Sequence, residues 1–95
     1  MNELFKIFHI DAKEAARIAD SVNDPHVHDY QELIVGMEGS LQHFIDFKTD
    51  AVLAPFVSFV SKGKVHRAQP VAVNGACSMW VIRFKSEFNL LIFKQ

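Results

Sequence analysis

Two hydrophobic periods divide the chain. From Leu4 to Ile10 apolar and polar residues interleave, which predicts a short strand over 4–10. Ala15, Ile18, Ala19 and Val22 then recur at helical spacing and give a helix over 12–22 one apolar stripe. Asp11 and Glu14 form a capping-box-like pair at its start. Asn23-Asp24-Pro25 stops it, because Pro25 lacks a donor and biases Asp24 to extended geometry. Beyond Pro25 the period is two. Tyr30–Met37 and Leu41–Phe47 read as strands joined through Glu38-Gly39-Ser40 into a hairpin. Lys48-Thr49-Asp50 reads as a polar turn, and Val52–Pro55 and Phe56–Ser61 as short strands around a bend at Pro55. Lys62-Gly63-Lys64 is a turn that delivers Val65 and His66, Pro70 to Asn74-Gly75 is a loop, and Ser78–Lys85 is the clearest strand. Many short strands between close turn signals predict an antiparallel sandwich or barrel.

The last strand also carries a prediction about faces. Trp80, Ile82 and Phe84 share one side, and Met79, Val81, Arg83 and Lys85 the other. The two charges mark the second side as the wetter one, so the Trp80 side is expected to line the interior. Trp80 is then a core residue, with stacking on a sugar as its functional alternative. The helical stripe is expected to cover the barrel.

Composition narrows the function classes. Ninety-five residues make one domain that buries roughly 60–65 % of its extended surface. Apolar residues make up 49 % of the chain and nine residues are Phe, which argues against disorder. The net charge is −1 and the ten Lys and Arg are scattered, so no concentrated positive face is offered to a phosphate backbone. Cys77 is the only cysteine, which excludes an intrachain disulfide and suits a reducing cytoplasm; we expect it to be a small buried hydrophobe. No apolar run approaches membrane-spanning length, and the N-terminus lacks a signal-peptide core. A soluble cytoplasmic protein is expected.

The candidate chemistry lies in the histidines. His26 and His28 have the i, i+2 spacing that points side chains to one face of a strand, and Glu32 and His66 complete a set of three imidazoles and a carboxylate. Borderline divalent metals prefer such ligands. The other reading is a pocket whose buried polar groups satisfy one another by hydrogen bonds. On a straight strand His28 and Glu32 would stand about 13 Å apart, too far for one metal. A shared site therefore requires a bend near Asp29-Tyr30, with His66 arriving from another strand. His43 reads as a pocket donor or as a half-buried strand histidine, and His9 as structural.

These residues also carry a resemblance. The spacing His26-x-His28-x3-Glu32-x6-Gly39 resembles the first motif of the cupin superfamily. Gly63-Lys64-Val65-His66 resembles the end of its second motif, with Ser61 where that pattern has Pro and Pro55-Phe56 where it has a Pro-Gly turn. The stretch from Pro25 through His28-Asp29 to Glu32-Leu33-Ile34 resembles the opening of N-terminal domains in AraC-family transcriptional regulators. So do Glu38-Gly39-Ser40 through Asp46-Phe47, Leu53-Ala54-Pro55 through His66, and Trp80-Val81-Ile82-Arg83-Phe84 with Ser86-Glu87-Phe88.

The resemblance implies a mostly all-β fold, a cupin-type double-stranded β-helix or jelly-roll barrel over 26–88 with one N-terminal helix. It implies an effector-sensing and dimerisation domain, not an enzyme, with a small-molecule effector such as a carbohydrate and a homodimer as partners. DNA would be reached only through a C-terminal helix-turn-helix domain, and residues 89–95 read as an interrupted linker or helix start. The implied pocket residues are His26, His28, Glu32, His43, His66 and Trp80. No cofactor is expected, although His26, His28, Glu32 and His66 leave room for a divalent transition metal. The runner-up function is a small metal-dependent cupin enzyme of dioxygenase or isomerase type using those four residues.

Overall fold

The computed structural model describes residues 4–21 and 27–85. Along them lie β1 (Phe5–Asp11), α1 (Ala12–Ala19), β2 (Gln31–Glu38), β3 (Ser40–Ile45), β4 (Lys48–Leu53), β5 (Phe56–Val60), β6 (His66–Val71) and β7 (Ser78–Phe84). A larger sheet has the order β1-β7-β2-β5 and a smaller one the order β4-β3-β6, with every pairing antiparallel. The chain passes from one sheet to the other between β2 and β3, β4 and β5, β5 and β6, and β6 and β7. Among the described residues no helix is long and apolar enough to cross a membrane.

Sheet membership corrects the hairpin expected between β2 and β3, since those strands lie in different sheets. Glu38-Gly39 is a corner. Gly39 is buried with φ +98°, and its carbonyl accepts from the Ala54 amide at 2.9 Å. A side chain there would press on the Val71 carbonyl, so the crossing uses glycine's freedom at positive φ. The hairpin instead joins β3 to β4 through Asp46 and Phe47, both left-handed at φ 51° and 62°. Lys48-Thr49-Asp50, expected as a turn, opens β4. That edge strand is exposed along its whole length, so its polarity reflects water on both faces. Pro70 stands inside β6 opposite Leu41, where an edge strand tolerates a missing amide donor.

The helix begins where its cap places it. Asp11 is extended and its carboxylate accepts from the Glu14 amide at 2.8 Å, while Glu14 also pairs with Arg17 one turn on. It ends earlier than expected, as the Ser21 hydroxyl and amide both turn back onto the Ile18 carbonyl. Ala15 is buried and Ile18 packs on the core, whereas Ala19 is exposed and Val22 lies outside the described residues. The helix thus lies against β1 of one sheet and β6 of the other, covering one side of the sandwich.

The core between the sheets follows from register. Ile10, Met79, Gly36 and Phe56 form one inward row across the larger sheet, and Phe8, Val81, Ile34 and Ser58 the next. Leu41 from the smaller sheet meets them, fully buried, and Cys77 is buried beside it. Gly36 leaves the space that the Phe56 ring fills. Met79 and Val81 are therefore interior and Trp80 is 42 % exposed, so the expected orientation of β7 is reversed. The charge that suggested a wet face, Arg83, points inward and is neutralised there.

Candidate functional site

A third inward row holds the polar chemistry. Lys6, Arg83, Glu32 and Val60 align across the larger sheet, and His66 and His43 face them from β6 and β3 of the smaller one. The chain bends at Asp29-Tyr30, so His28, just before β2, returns beside Glu32. One ligand atom each from His28, Glu32 and His66 lies within 4.8 Å of the other two. The bend and the strand crossing required by the sequence are both present. His26 lies outside the described residues.

The contacts define how each group is held. His28 Nδ1 lies 3.1 Å from the Tyr30 carbonyl, and the two rings stack at 3.8 Å. Its Nε2 meets His66 Nε2 at 2.6 Å; His66 Nδ1 lies 3.4 Å from His43 Nε2, and His43 Nδ1 lies 3.3 Å from the Ser58 hydroxyl. Glu32 is buried; its Oε2 accepts from Arg83 Nε at 2.8 Å and its Oε1 stands 3.9 Å from His66 Nε2. The Arg83 guanidinium sits over the Phe8 and Tyr30 rings, at 4.9 and 5.1 Å from their centroids. Burial holds the His43 pKa below its ordinary value, against the opposing field of Glu32 and Asp50. Burial likewise raises Tyr30, although the nearby Arg83 pulls the other way.

Hydrogen-bond logic fixes what this arrangement can do. Only an Nδ1–H on His28 can donate to the Tyr30 carbonyl, which leaves its Nε2 a lone pair. An Nε2–H on His66 can donate to that lone pair, with His66 Nδ1 accepting from His43 Nε2–H and His43 Nδ1 accepting from the Ser58 hydroxyl. Neutral rings can therefore pair every ring nitrogen of the chain, so these contacts by themselves require no cation. The donor set fits a divalent transition metal: two imidazoles and a carboxylate form an open site, and both rings carry a partner on the far nitrogen that would orient them. His28, His66 and Glu32 are the residues that would hold it. A metal there would supply Lewis acidity to a bound molecule.

Beside the cluster lies a cavity of about 240 Å³. Glu32, His66 and Arg83 form its polar end, and Phe8, Ile34, Leu41 and Val81 are among its apolar walls. Ile18 and Ser21, at the end of α1, complete the lining. Trp80, expected in the pocket, is on the opposite face of the sheet and takes no part. His43 reaches the cluster through His66 and is absent from the cavity wall. Arg83 was missed by the sequence reading, although a buried Glu32 requires a cationic or hydrogen-bonded partner and the inward phase of β7 supplies it. Ser58 left no comparable signal.

No protein-family model matches the sequence, and no curated protein matches it. Solved structures do. An RmlC-like cupin with a double-stranded β-helix fold from Methanocaldococcus jannaschii superposes with a TM-score of 0.62 at 11 % identity, covering 96 % of this chain and 80 % of that one. A Cupin 2 conserved barrel domain protein from Salinispora arenicola gives 0.61 at 13 % identity, covering 100 % and 76 %. The polyketide cyclase RemF from Streptomyces resistomycificus gives 0.59 at 20 % identity, covering 84 % and 54 %. The chain therefore has the cupin double-stranded β-helix fold, a fold that serves enzymes and non-enzymes alike.

Proposed function

We propose that this domain is the effector-sensing module of an AraC-type transcriptional regulator, with the cavity as its effector site. The observation that carries the reading is the wall that α1 contributes. A molecule in the cavity touches Ile18 and Ser21 as well as both sheets, so occupancy bears directly on the seating of the helix. An effector that fits one helix position better than another shifts the balance between them by that difference in affinity. Each residue stretch that resembles such regulators contributes to the cavity wall: Glu32 and Ile34 from the first, Leu41 and His66 from the next two, and Val81 and Arg83 from the last. DNA binding would belong to a helix-turn-helix domain beyond Gln95.

The lining selects the chemistry of the effector. Mostly apolar walls with Arg83, Glu32 and His66 at one end suit a compact molecule with a single polar or anionic group, better than a sugar with hydroxyls on every side. Thermal-shift measurements with short-chain and aromatic carboxylates, with sugars for comparison, test this directly. A ligand at one hundred times its Kd adds about 2.7 kcal/mol of stability. Ala68→Leu, which fills the cavity, should abolish the shift. A shift unchanged by that substitution would place the ligand elsewhere. Reading the gene past the Gln95 codon tests the regulator half: two helix-turn-helix units support it, and an immediate stop codon overturns it.

A second reading is favoured by the convergence of His28, Glu32 and His66, namely a metal-dependent cupin enzyme. Elemental analysis of the purified protein separates the two. Stoichiometric transition metal, lost together with an activity in His66→Ala, would establish the enzyme.

A further inference from the structure

Glu32 is the one anionic member of the His28, Glu32 and His66 cluster, and its charge is already matched. The carboxylate is buried, and its Oε2 accepts from Arg83 Nε at 2.8 Å. Its Oε1 stands 3.9 Å from His66 Nε2, on the side where a metal would sit. The sheet register sets Lys6 beside Arg83 and Arg83 beside Glu32, so two basic residues share a row with one acid. Imidazoles give a metal lone pairs but no negative charge. A buried divalent ion needs anionic ligands to offset its own charge. With Glu32 matched by Arg83, the cluster is neutral before any metal arrives. An ion on Oε1 would then set two positive charges next to the guanidinium, where repulsion is stronger than in water. Arg83 is also held in place. Its guanidinium packs over the Phe8 and Tyr30 rings, and Tyr30 stacks in turn on His28.

We propose that Arg83 is a specificity-determining residue: it serves as the resident counter-cation of Glu32 and keeps divalent transition metals out of a cluster whose donor atoms would otherwise take one. Geometry supplies the ligands, and Arg83 withholds the charge. The partner that Glu32 requires for burial is thus also the group that selects against a metal. The inference goes beyond the effector reading and is independent of what the cavity holds.

Titration of the full chain with Co²⁺, followed by its visible absorption, and with Zn²⁺, followed by calorimetry, tests it. Arg83→Met should bind one equivalent of either ion at least about tenfold more tightly than the unsubstituted chain, a difference of about 1.4 kcal/mol. Glu32→Gln or His66→Ala, added to Arg83→Met, should abolish the gain and so locate the ion at the cluster. Arg83→Lys keeps the charge without the planar fork and should bind no better than the unsubstituted chain. Zn²⁺ should also raise the melting temperature of Arg83→Met more than that of the unsubstituted chain, because the ion takes up the stranded charge. Arg83→Gln retains a neutral donor for Glu32 and should show the same gain, which covers a failure of the Met variant to fold. Equal affinities in the unsubstituted chain and the neutral variants overturn the proposal, whether all of them bind or none does. So do a gain that survives Glu32→Gln and a gain as large in Arg83→Lys. None of these failures bears on the effector reading, which the Ala68→Leu thermal shift tests separately.

Discussion

Replacing Arg83 with Met isolates the pairing that holds the polar row inside the barrel. Met keeps an apolar stem of similar reach, so the packing against Phe8 and Tyr30 largely survives while the guanidinium is lost. Glu32 is left 3 % exposed without the donor at 2.8 Å. Removing one partner of a fully buried ion pair costs about 3–5 kcal/mol. The Arg83 side chain is 30 % exposed, so water can enter the vacated space and soften the loss to about 2–3 kcal/mol. In a domain of this size each kcal/mol moves Tm by about 4–8 °C, so the variant should melt about 10–20 °C lower. Urea and thermal unfolding followed by circular dichroism read both quantities. The double variant Arg83→Met, Glu32→Gln removes the stranded charge and should recover at least about 1 kcal/mol relative to Arg83→Met alone. A loss below about 1 kcal/mol, or a double variant whose losses merely add, would refute the claim that this pair neutralises the site.

Three further outcomes follow from other parts of the structure. Burial lowers the His43 pKa, so below about pH 6.5 the unfolded chain takes up a proton that folded His43 resists. Stability should therefore fall as pH drops from about 6.5 towards the folded-state pKa, and His43→Gln should flatten that part of the Tm–pH curve. Gly39→Ala forces a side chain to φ +98° and sets its Cβ 2.8 Å from the Val71 carbonyl, whereas Gly63→Ala at φ +85° meets nothing within 4 Å. The first should cost about 2–3 kcal/mol and the second about 1 kcal/mol in denaturant midpoints, and equal losses would dismiss the close approach at the corner. Asp11→Ala removes the cap on the Glu14 amide and should cost about 1 kcal/mol, without altering the site.

The legible parts of this protein are those with local causes. Asp11 announces the helix because its cap bond lies three residues away. The spacing of His28, Glu32 and His66 implied a shared site, and the distance argument located the bend at Asp29-Tyr30. Sheet membership was hidden because a corner and a hairpin use the same residues. Glu38-Gly39 carries a turn signal in either case, and only pairing with distant strands decides which one forms. The Asp46-Phe47 turn was missed because Phe seldom adopts a positive φ. Trp80 was placed inside on the assumption that Arg83 must face water. The assumption failed at the one position where a buried carboxylate supplies the counter-charge.

The order β1-β7-β2-β5 has a consequence for synthesis on the ribosome. Among the described residues the last strand made, β7, is an interior strand of the larger sheet and the only partner β1 has in that sheet. Its register joins Phe5 to Phe84 and Asp11 to Ser78, so the N-terminal strand must wait for nearly all of the described chain to emerge before it can pair. Until then β1 and one edge of β2 remain open templates for strands of other nascent chains. Release of a chain ending before β7 would leave those edges permanently unpaired. Such a product should be found in inclusion bodies or bound to chaperones rather than as a smaller folded domain. With so many pairings between distant residues, the refolding of the intact chain should also be slow, on the order of milliseconds to seconds.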